Sequence, residues 1–329
     1  MNEPARLLWI TDPWNALDHP RDTTLRLIEA SVELGVPSFW ADVRTLSWDA
    51  SGSHLSVRRV THVSAGRASD DFTLDPSSEA RPTDFSHVLY RVDPPVDLAY
   101  LHPLELMALD REQRIRAEGG CRTEFVNSLE VLQAAGEKTM ASVLPGLFPP
   151  SLAACAWERL RAFGELEGTT IAKPLHSCQS RGVELLRWDD PAEHAHNRAV
   201  LEPLTDGFRR PALLQRFLPG VRDGETRLWF LDAELLAFVR KKPAQGTYRI
   251  DMDHGATLSA HELNAAEHGA IGAISAELRR RGIRHAAVDL IDGMVTDLNV
   301  TSPGLLPGME GVLGRNLARP VIQALLARP

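Results

Sequence analysis

The sequence predicts an α/β protein built on a parallel sheet, and three observations support this fold class. A strand–helix–strand pattern occupies roughly the first 40 residues, and that pattern is the repeating unit of a parallel sheet. Apolar residues make up 43% of the chain and charged residues 24%, the balance of an ordinary globular protein. The length of 329 residues predicts two or three domains at roughly 150 residues each, with a sizeable core.

Charge and hydropathy exclude several functional classes. The formal net charge is −8 and the isoelectric point is about 5.9, which argues against a nucleic-acid groove. No segment approaches the ~20 apolar residues that a membrane span needs, and the apolar start at residues 7–10 is too short for a signal peptide. Three cysteines without C-x-x-C spacing argue against a disulfide framework or a zinc site. We therefore expect a cytoplasmic protein without nucleic-acid or membrane partners.

The first elements follow from capping residues and apolar runs. A strand is expected over residues 7–10, and Asp22 can cap a helix that Gly35 ends. A second strand follows over residues 36–43. No G-x-G-x-x-G segment follows the first strand, so a dinucleotide-binding oxidoreductase is disfavoured.

The remaining elements alternate between strands and amphipathic helices. We expect a surface loop at 66–86, strand 87–91, helix 98–117, a short strand and helical pieces over 123–144, paired strands 169–173 and 183–188, strands 213–217, 227–231 and 235–240, helix 260–281, two strands flanking 292–293, and a last amphipathic helix.

Two groups of residues could bind a nucleotide. Lys138 and Lys173 lie on separate elements and could hold phosphates as point charges, although two solvated lysines would give the same pattern. Residues 215–218 begin as an apolar strand and continue as a linker, whose backbone could face a purine edge. An ordinary core strand is the alternative for that segment.

A third group could bind a metal ion. Asp297 and Asn299 alternate with apolar residues and therefore share one strand face. With Asp289 on the preceding strand, they offer the hard oxygen ligands that Mg²⁺ prefers. The alternative is that the two aspartates cap strand ends. If Asp289 and Asp297 share a face, the connection must be odd-numbered, such as 292–294, because a two-residue turn at 292–293 would place Asp297 on the opposite face.

Taken in order along nearly the whole chain, a set of segments resembles the ATP-grasp enzymes, most closely the bacterial glutathione synthetases. The segments are Thr11-Asp12-Pro13 with Arg21-Asp22-Thr23-Thr24, Arg91-Val92-Asp93-Pro94-Pro95, Asn127 followed by Glu137-Lys138, Lys173-Pro174-Leu175, Gln215-Arg216-Phe217-Leu218-Pro219, Asp223-Gly224-Glu225-Thr226-Arg227, and Asp289 and Asp297 with Asn299-Val300-Thr301-Ser302-Pro303.

The resemblance implies an α/β ATP-grasp fold in three parts. These are an N-terminal Rossmann-like pre-ATP-grasp domain over residues 1–122, a lid subdomain over 123–210, and a C-terminal ATP-grasp subdomain over 211–329 that carries the metal site. ATP would bind between the last two.

The resemblance also implies an ATP-dependent carboxylate–amine ligase that forms an amide through an acyl phosphate and releases ADP and phosphate. ATP and two Mg²⁺ ions, replaceable by Mn²⁺, would be the cofactors. A small-molecule or peptide carboxylate and an amine would be the substrates, and we expect a homo-oligomer. The implied residues are Arg227, Arg240 and Arg249 for catalysis, Lys138, Lys173, Gln215, Arg216, Phe217, Leu218 and Glu225 for ATP, and Asp289, Asp297 and Asn299 for metal.

Several positions depart from the family pattern. The loop 176–182 contains one glycine instead of several, which puts its closure over ATP in question, and we interpret its Cys178 as a spectator. Asp251 stands where the family has an amide, and 304–306 is Gly-Leu-Leu instead of Thr-Gly and its neighbours. These changes predict that γ-glutamylcysteine and glycine are not the best substrate pair. The alternatives are a glutathione synthetase in the strict sense and a nucleotide-binding pseudoenzyme.

Overall fold

The computed structural model describes residues 5–64, 66–67, 69–134, 136–176 and 181–327. Within these residues the chain forms three sheets, of eight, four and five strands. None of the described helices is both long and apolar enough to cross a bilayer. The sheets follow one another along the sequence.

The N-terminal part contains the largest sheet, in the order β3-β4-β2-β1-β7-β8, with β5 and β6 paired to β4. Its elements are β1 (Leu7–Thr11), α1 (Thr23–Glu33), β2 (Ser38–Asp42), β3 (Ser47–Asp49), β4 (Gly52–Val63), β5 (Phe72–Leu74), β6 (Ser78–Ala80), β7 (His87–Tyr90), α2 (Leu98–Glu118) and β8 (Glu124–Phe125). Strand β1 runs parallel to both β2 and β7, as the strand–helix–strand pattern predicts.

Helix α1 begins and ends where the capping residues predict. The Asp22 carboxylate accepts from the Leu25 N–H at 3.0 Å, which satisfies one of the helix's free donors. Gly35 follows the helix with φ of +72°, a backbone angle that favours glycine. The chain therefore leaves the helix and enters β2 within a few residues.

The prediction of a surface loop over residues 66–86 is wrong in part. Strands β5 and β6 fall inside this range and pair with β4, a twelve-residue strand that the sequence pattern did not indicate. These strands have three residues each and only Phe72 among the six is buried, so they lack the apolar alternation that identifies a strand.

The middle part contains a four-stranded antiparallel sheet in the order β11-β10-β12-β9. Its elements are α3 (Leu129–Gln133), β9 (Ser151–Ala154), α4 (Trp157–Glu167), β10 (Thr169–Pro174), β11 (Glu184–Arg187), α5 (His194–Leu204) and β12 (Ala212–Arg216). The predicted pairing of β10 with β11 is confirmed.

The C-terminal part contains the five-stranded antiparallel sheet, in the order β15-β14-β13-β16-β17. Its elements are β13 (Glu225–Leu231), β14 (Glu234–Lys242), β15 (Thr257–Ser259), α6 (Ala265–Arg281), β16 (His285–Ile291), β17 (Met294–Asn299), α7 (Leu306–Leu313) and α8 (Ala318–Leu326). Helix α6 begins later than residue 260 because Asn264 caps it, in a capping box with Glu267.

Asn127 joins the N-terminal sheet to the C-terminal one. Its amide nitrogen donates to the carbonyls of His285 and Val300, both at 2.8 Å. Its amide oxygen accepts from the N–H groups of Arg284 and His285. All of the hydrogen bonds are buried, so one side chain satisfies backbone groups of both strands that carry the predicted metal ligands.

His285, the first residue of β16, has a buried imidazole. Its ring lies 5.9 Å from that of Trp229, and its Nε2 atom has no hydrogen-bond partner among the described residues. Burial first, and then the cations Arg91 and Arg284, lower the pKa of His285 to about 3. The imidazole is therefore neutral in the folded protein at neutral pH.

We expect His285 to make the protein less stable in acid. The unfolded histidine takes up a proton near pH 6.5 while the folded one does not, so its contribution to stability is complete above that pH and declines towards pH 3. The loss reaches about 2 kcal/mol at pH 5. Urea unfolding of wild type and His285→Leu between about pH 7.5 and pH 5 should show a shallower decline in the variant. The exposed His196→Leu is the control, and parallel curves for wild type and His285→Leu would contradict the assignment.

Candidate active site

A cavity of about 430 Å³ lies where the three sheets meet. Almost all of the residues predicted from the sequence line this cleft. They are Lys138, Lys173, Gln215, Arg216, Phe217, Leu218, Glu225, Arg227, Arg249, Asp289, Asp297 and Asn299.

The β16–β17 hairpin places the predicted metal ligands on one face, by a route that the sequence analysis did not expect. A two-residue turn at 292–293 joins the strands, so the prediction of an odd-numbered loop is wrong. The register then shifts at Thr296, and Asp289 lies opposite Asp297 after all. A β-bulge adds one residue to one strand and so reverses the side-chain alternation beyond it. Asn299, two residues further on, shares the same face.

Asp289 is bound by two cations in this structure. Arg227 lies opposite it on β13 and donates from Nε to Oδ1 at 2.8 Å and from Nη2 to Oδ2 at 2.6 Å. Lys241 Nζ lies 3.0 Å from the same Oδ1 atom and also pairs with Glu225. Asn299 Nδ2 donates to Oδ2 at 3.3 Å. One face of the sheet therefore holds alternating charges in direct contact.

Burial and these neighbours set the protonation of the two carboxyl groups. Burial would raise the pKa of Asp289, but Arg227 and Lys241 outweigh it and hold that pKa well below its usual range. The pKa of Glu225 is raised, by burial first and then by the charge of Asp289, against the effect of Lys241. These contacts therefore favour the ionised form of Asp289 more strongly than that of Glu225.

Arg240 is not part of this face, and the prediction that placed it in the site is corrected. It lies opposite Thr226, donates to the Thr226 hydroxyl at 2.7 Å and pairs with Glu267 of α6 at 3.2 Å. Its neighbour Lys241 lies opposite Glu225 and enters the cleft instead. Side chains of a strand alternate between faces. Residues opposite one another in paired strands share a face, so the pairing of Lys241 with Glu225 was the signal that could have identified Lys241.

Both predicted phosphate lysines are buried in the cleft wall, with 7% of each residue exposed, so the alternative of two solvated lysines is wrong. Lys173 donates from Nζ to the Thr296 carbonyl at 3.3 Å and lies 3.7 Å from Asp297 Oδ2. Lys138 lines the same cleft. Both lysines therefore contribute positive charge to the wall of the cleft that carries Asp297.

Glu137 fixes the end of β17 beside Lys138. Its Oε1 atom accepts from the N–H of Val300 at 2.8 Å and from the N–H and hydroxyl of Thr301 at 2.9 and 2.8 Å. Its carbonyl accepts from the Leu298 N–H at 2.9 Å. Burial raises the pKa of Glu137, and the hydrogen bonds from 300–301 oppose that shift. This one residue holds the strand on both sides of Asn299.

The linker after β12 forms the apolar end of the cleft. Gln215 pairs with Ile171 in the sheet, and its Nε2 donates to the Ser151 hydroxyl at 3.0 Å. The Phe217 N–H donates to the Thr169 carbonyl at 3.0 Å. Phe217, Leu218 and Ile171 line the wall, and a flat aromatic ring could lie against them.

Arg249 lies at the edge of the cleft, where it donates to Glu184 at 2.7 Å and is half-exposed. Asp251 lines the cleft but is tied to its own turn, accepting from the Asp253 N–H at 2.9 Å and contacting His254 Nδ1 at 2.8 Å. Leu305 lines the cleft, whereas Leu306 is buried in the core. Cys178 and residues 177–180 of the 176–182 loop lie outside the described residues.

The oxygen ligands suit a hard divalent cation. Two opposed carboxylates and one amide share the face, and Mg²⁺ is commonly held by one or two carboxylates together with phosphates. Among the described residues no group of three or more His, Cys, Asp or Glu side chains could hold a metal alone. A metal here would therefore use Asn299 and ligand oxygens besides the aspartates.

Comparison with known proteins agrees with this geometry. The family model for the ATP-grasp domain of prokaryotic glutathione synthetase matches residues 137–312, and the model for the N-terminal domain of that family matches residues 5–116. The chain is 30% identical over 321 residues to a glutathione synthetase of Prochlorococcus marinus, covering 98% of both chains.

Two solved structures share the fold. One is the ATP-grasp ligase PsnB complexed with a minimal precursor, with a TM-score of 0.63 and 17% identity over 99% of this chain and 100% of that one. The other is the D-cycloserine synthetase DcsG, with a TM-score of 0.63 and 16% identity over 98% of this chain and 99% of that one.

The contacts of Asp289 with Arg227 and Lys241 lead to a prediction about stability that can be tested without a ligand. Asp289→Asn removes the carboxylate that two buried cations share, and we expect it to cost about 3 kcal/mol in the free energy of unfolding. Asp297→Asn is the matched control, because the Asp297 side chain is 26% exposed and lies 3.7 Å from its cation, so its loss should cost less than about 1 kcal/mol. Urea denaturation of the two variants decides, and equal losses would show that Arg227 and Lys241 do not depend on Asp289.

Proposed function

The chain belongs to the prokaryotic glutathione synthetase family of ATP-grasp ligases, and we propose that it uses ATP and Mg²⁺ to join the carboxylate of an amino acid or peptide to an amine. The observation that carries the proposal is the charged face of the five-stranded sheet. There Asp289, Asp297 and Asn299 supply metal-type oxygens beside the cations Arg227 and Lys241. The buried lysines 138 and 173 face the same cleft.

The proposed chemistry has two steps. An oxygen of the substrate carboxylate bonds to the γ-phosphorus of ATP, and the bond from that phosphorus to the bridging oxygen breaks and releases ADP. The amine nitrogen then bonds to the acyl carbon, the bond from that carbon to the phosphate oxygen breaks, and the amine gives up a proton. Positioning and charge neutralisation supply the catalysis.

Each part of the cleft has a place in this scheme. Lys138 and Lys173 hold phosphate oxygens, the apolar wall at 215–218 takes the adenine, and Glu225 lies where the ribose would extend. Arg227 and Lys241 neutralise charge on the transferred phosphoryl group, and Arg249 closes the edge. Asp289, Asp297 and Asn299 would hold two Mg²⁺ ions, or Mn²⁺ in their place. The metal would supply charge stabilisation between the phosphates.

Turnover across a substrate panel tests the function. ADP release is measured with γ-glutamylcysteine and glycine and with other peptide carboxylates and amines, and ¹⁸O in the substrate carboxylate should appear in the released phosphate. We expect a pair other than γ-glutamylcysteine and glycine to be the best, because Asp251 and Leu305 line the cleft, and a carboxylate and an apolar side chain there disfavour a small anionic group. A kcat/KM of about 10⁴ M⁻¹s⁻¹ or more for that pair would identify a glutathione synthetase in the strict sense. ATP binding without ADP release from any pair would indicate the pseudoenzyme.

The two phosphate lysines should be essential for turnover. Lys138→Met or Lys173→Met removes a charge that no other group replaces, and kcat/KM should fall by at least about 10²-fold. The variants should keep the wild-type unfolding midpoint closely, since methionine fills a similar volume. Lys242→Met, which changes an exposed lysine of β14, is the control. Wild-type activity in either cleft variant would show that the residue does not contact the phosphates.

We propose that Lys241, and not Arg240, acts in the cleft, and variants of the two residues test this assignment. Lys241→Met should lower kcat by about 10²-fold or more, whereas Lys241→Arg should retain part of the activity. Arg240→Met should leave kcat within a few-fold and lower the unfolding temperature instead, because Glu267 loses a buried partner. Activity and thermal unfolding are measured on all three variants. The opposite ordering of kcat losses would return Arg240 to the site.

A further inference from the structure

Leu305 has a backbone conformation that disfavours its own side chain. Its φ is +72° and its ψ is +7°, in the left-handed region where a Cβ atom crowds the backbone and glycine is favoured. Seven described residues other than glycine have a positive φ, and Leu305 is the one of these seven that lines the cleft. Backbone strain of this kind concentrates at binding and catalytic sites, so it points to a role for Leu305 in the cleft.

The hydrogen bonds around Leu305 do not require its side chain. The Gly304 carbonyl accepts from Trp229 Nε1 at 3.3 Å, and the Leu306 N–H donates to the Thr23 hydroxyl at 3.1 Å. Both bonds use backbone groups on either side of Leu305. A glycine at position 305 would keep them and would suit the left-handed conformation better.

The Leu305 side chain is not part of the core either. The next residue, Leu306, is fully buried and belongs to the hydrophobic core, whereas Leu305 is only partly buried. None of the four hydrophobic clusters formed by the described residues includes Leu305. Neither hydrogen bonding nor core packing therefore accounts for a leucine at this position, which leaves its place in the cleft wall.

Leu258 of β15 is a second apolar residue at this part of the cleft. A Cβ atom added to Gly308, in the first turn of α7, would lie 2.7 Å from Leu258 Cδ1. The start of α7, which Leu305 precedes, therefore packs directly against the Leu258 side chain. Leu258, Leu305 and Gly308 all line the cleft. We call Leu258 and Leu305 the apolar pair.

The pairing of β15 with β14 places the apolar pair next to the charged face. Leu258 lies opposite Lys241, and Lys241 lies opposite Glu225. Residues opposite one another in paired strands share a face, so Leu258 continues the row that contains Lys241. A substrate group beside the apolar pair would therefore lie close to the reacting groups of the proposed scheme.

Building on the proposed ligase function, we propose that Leu305 determines substrate specificity by contacting, together with Leu258, an aliphatic side chain of the substrate. The substrate class is then amino acids or peptides that carry an aliphatic residue at the position of the new amide bond. Either the acyl donor or the amine acceptor could carry this side chain, since both place a residue beside the bond that forms. Each methylene that an apolar pocket buries favours such a substrate by about 10-fold or more over the analogue that lacks it.

Two series of probes identify which substrate carries the side chain, with the full-length enzyme. In the acceptor series, glycine, alanine and valine are the amines and γ-glutamylcysteine is the donor. In the donor series, γ-glutamylglycine, γ-glutamylalanine and γ-glutamylvaline are the donors and glycine is the amine. Binding to enzyme loaded with Mg²⁺ and a non-hydrolysable ATP analogue is measured by calorimetry, and kcat/KM is measured wherever turnover occurs. Binding does not require turnover, so a failure of the ligase function and a failure of this proposal give different results.

Wild type should prefer the valine member over the glycine member by about 10-fold or more in one of the two series. Leu305→Gly should reduce this preference to near unity. The unfolding temperature of this variant should stay the same or rise, because glycine relieves the left-handed backbone. Leu305→Met should retain most of the preference, since methionine keeps a similar apolar volume.

Ala233→Gly is the matched control for the backbone. Ala233 also has a positive φ, of +63°, but it is buried in the core and does not line the cleft. This variant should keep the wild-type preference. A Leu305→Gly variant that loses stability and weakens all members of both series equally would show a structural role for Leu305. That result, or the absence of a preference for the valine member in either series with wild type, would overturn the proposal.

Discussion

The β-bulge at Thr296 is the constraint on which the charged face depends. Without it, the two-residue turn at 292–293 would direct Asp297 and Asn299 away from Asp289. With the bulge, the two-residue turn is kept and the side chains of Asp297 and Asn299 still lie on the same face as Asp289. Glu137 supports the arrangement from the other end, because it accepts three hydrogen bonds from residues 300–301. The bulge and the Glu137 contacts therefore fix the segment 296–301 at both ends. Because Lys138 directly follows Glu137, the same contacts also position Lys138.

The charges on this face are paired with one another within the chain. Asp289 accepts from Arg227 and contacts Lys241, and Lys241 also pairs with Glu225. A metal ion would place a positive charge against the carboxylates of this face, and phosphates would place negative charges against its cations. Binding would thus exchange internal partners for external ones, and each buried charge would keep a counter-charge throughout. The low pKa of Asp289 follows from the same contacts, with two cations outweighing the effect of burial.

Sequence reasoning reached the fold, most elements and most of the cleft residues, and its errors share one cause. The odd-numbered loop at 292–294 is an error of strand parity. Arg240 was implied by the family resemblance, and its side chain lies on the face opposite to that of Lys241. A single-residue shift reverses which face a side chain occupies, and neither a bulge nor a pairing register is visible in local composition. The loop expected at 66–86 failed for a related reason, since its short strands are stabilised by β4 and not by their own apolar pattern.

The two walls of the cleft differ in how their charges are compensated, and this difference bears on what each can bind. The C-terminal sheet neutralises its charges internally, so a ligand there must replace partners of matching sign and geometry. Among the described residues, Arg91 on the N-terminal wall donates to neutral acceptors at 2.9 and 3.1 Å and forms no ion pair, so an anion there would displace none of these residues' ion pairs. An interaction that replaces another gives little net affinity, whereas pairing a buried unpaired charge gives more. An anion in the cleft therefore meets compensated cations on the C-terminal sheet and, among the described residues, a cation without an ion pair on the N-terminal wall.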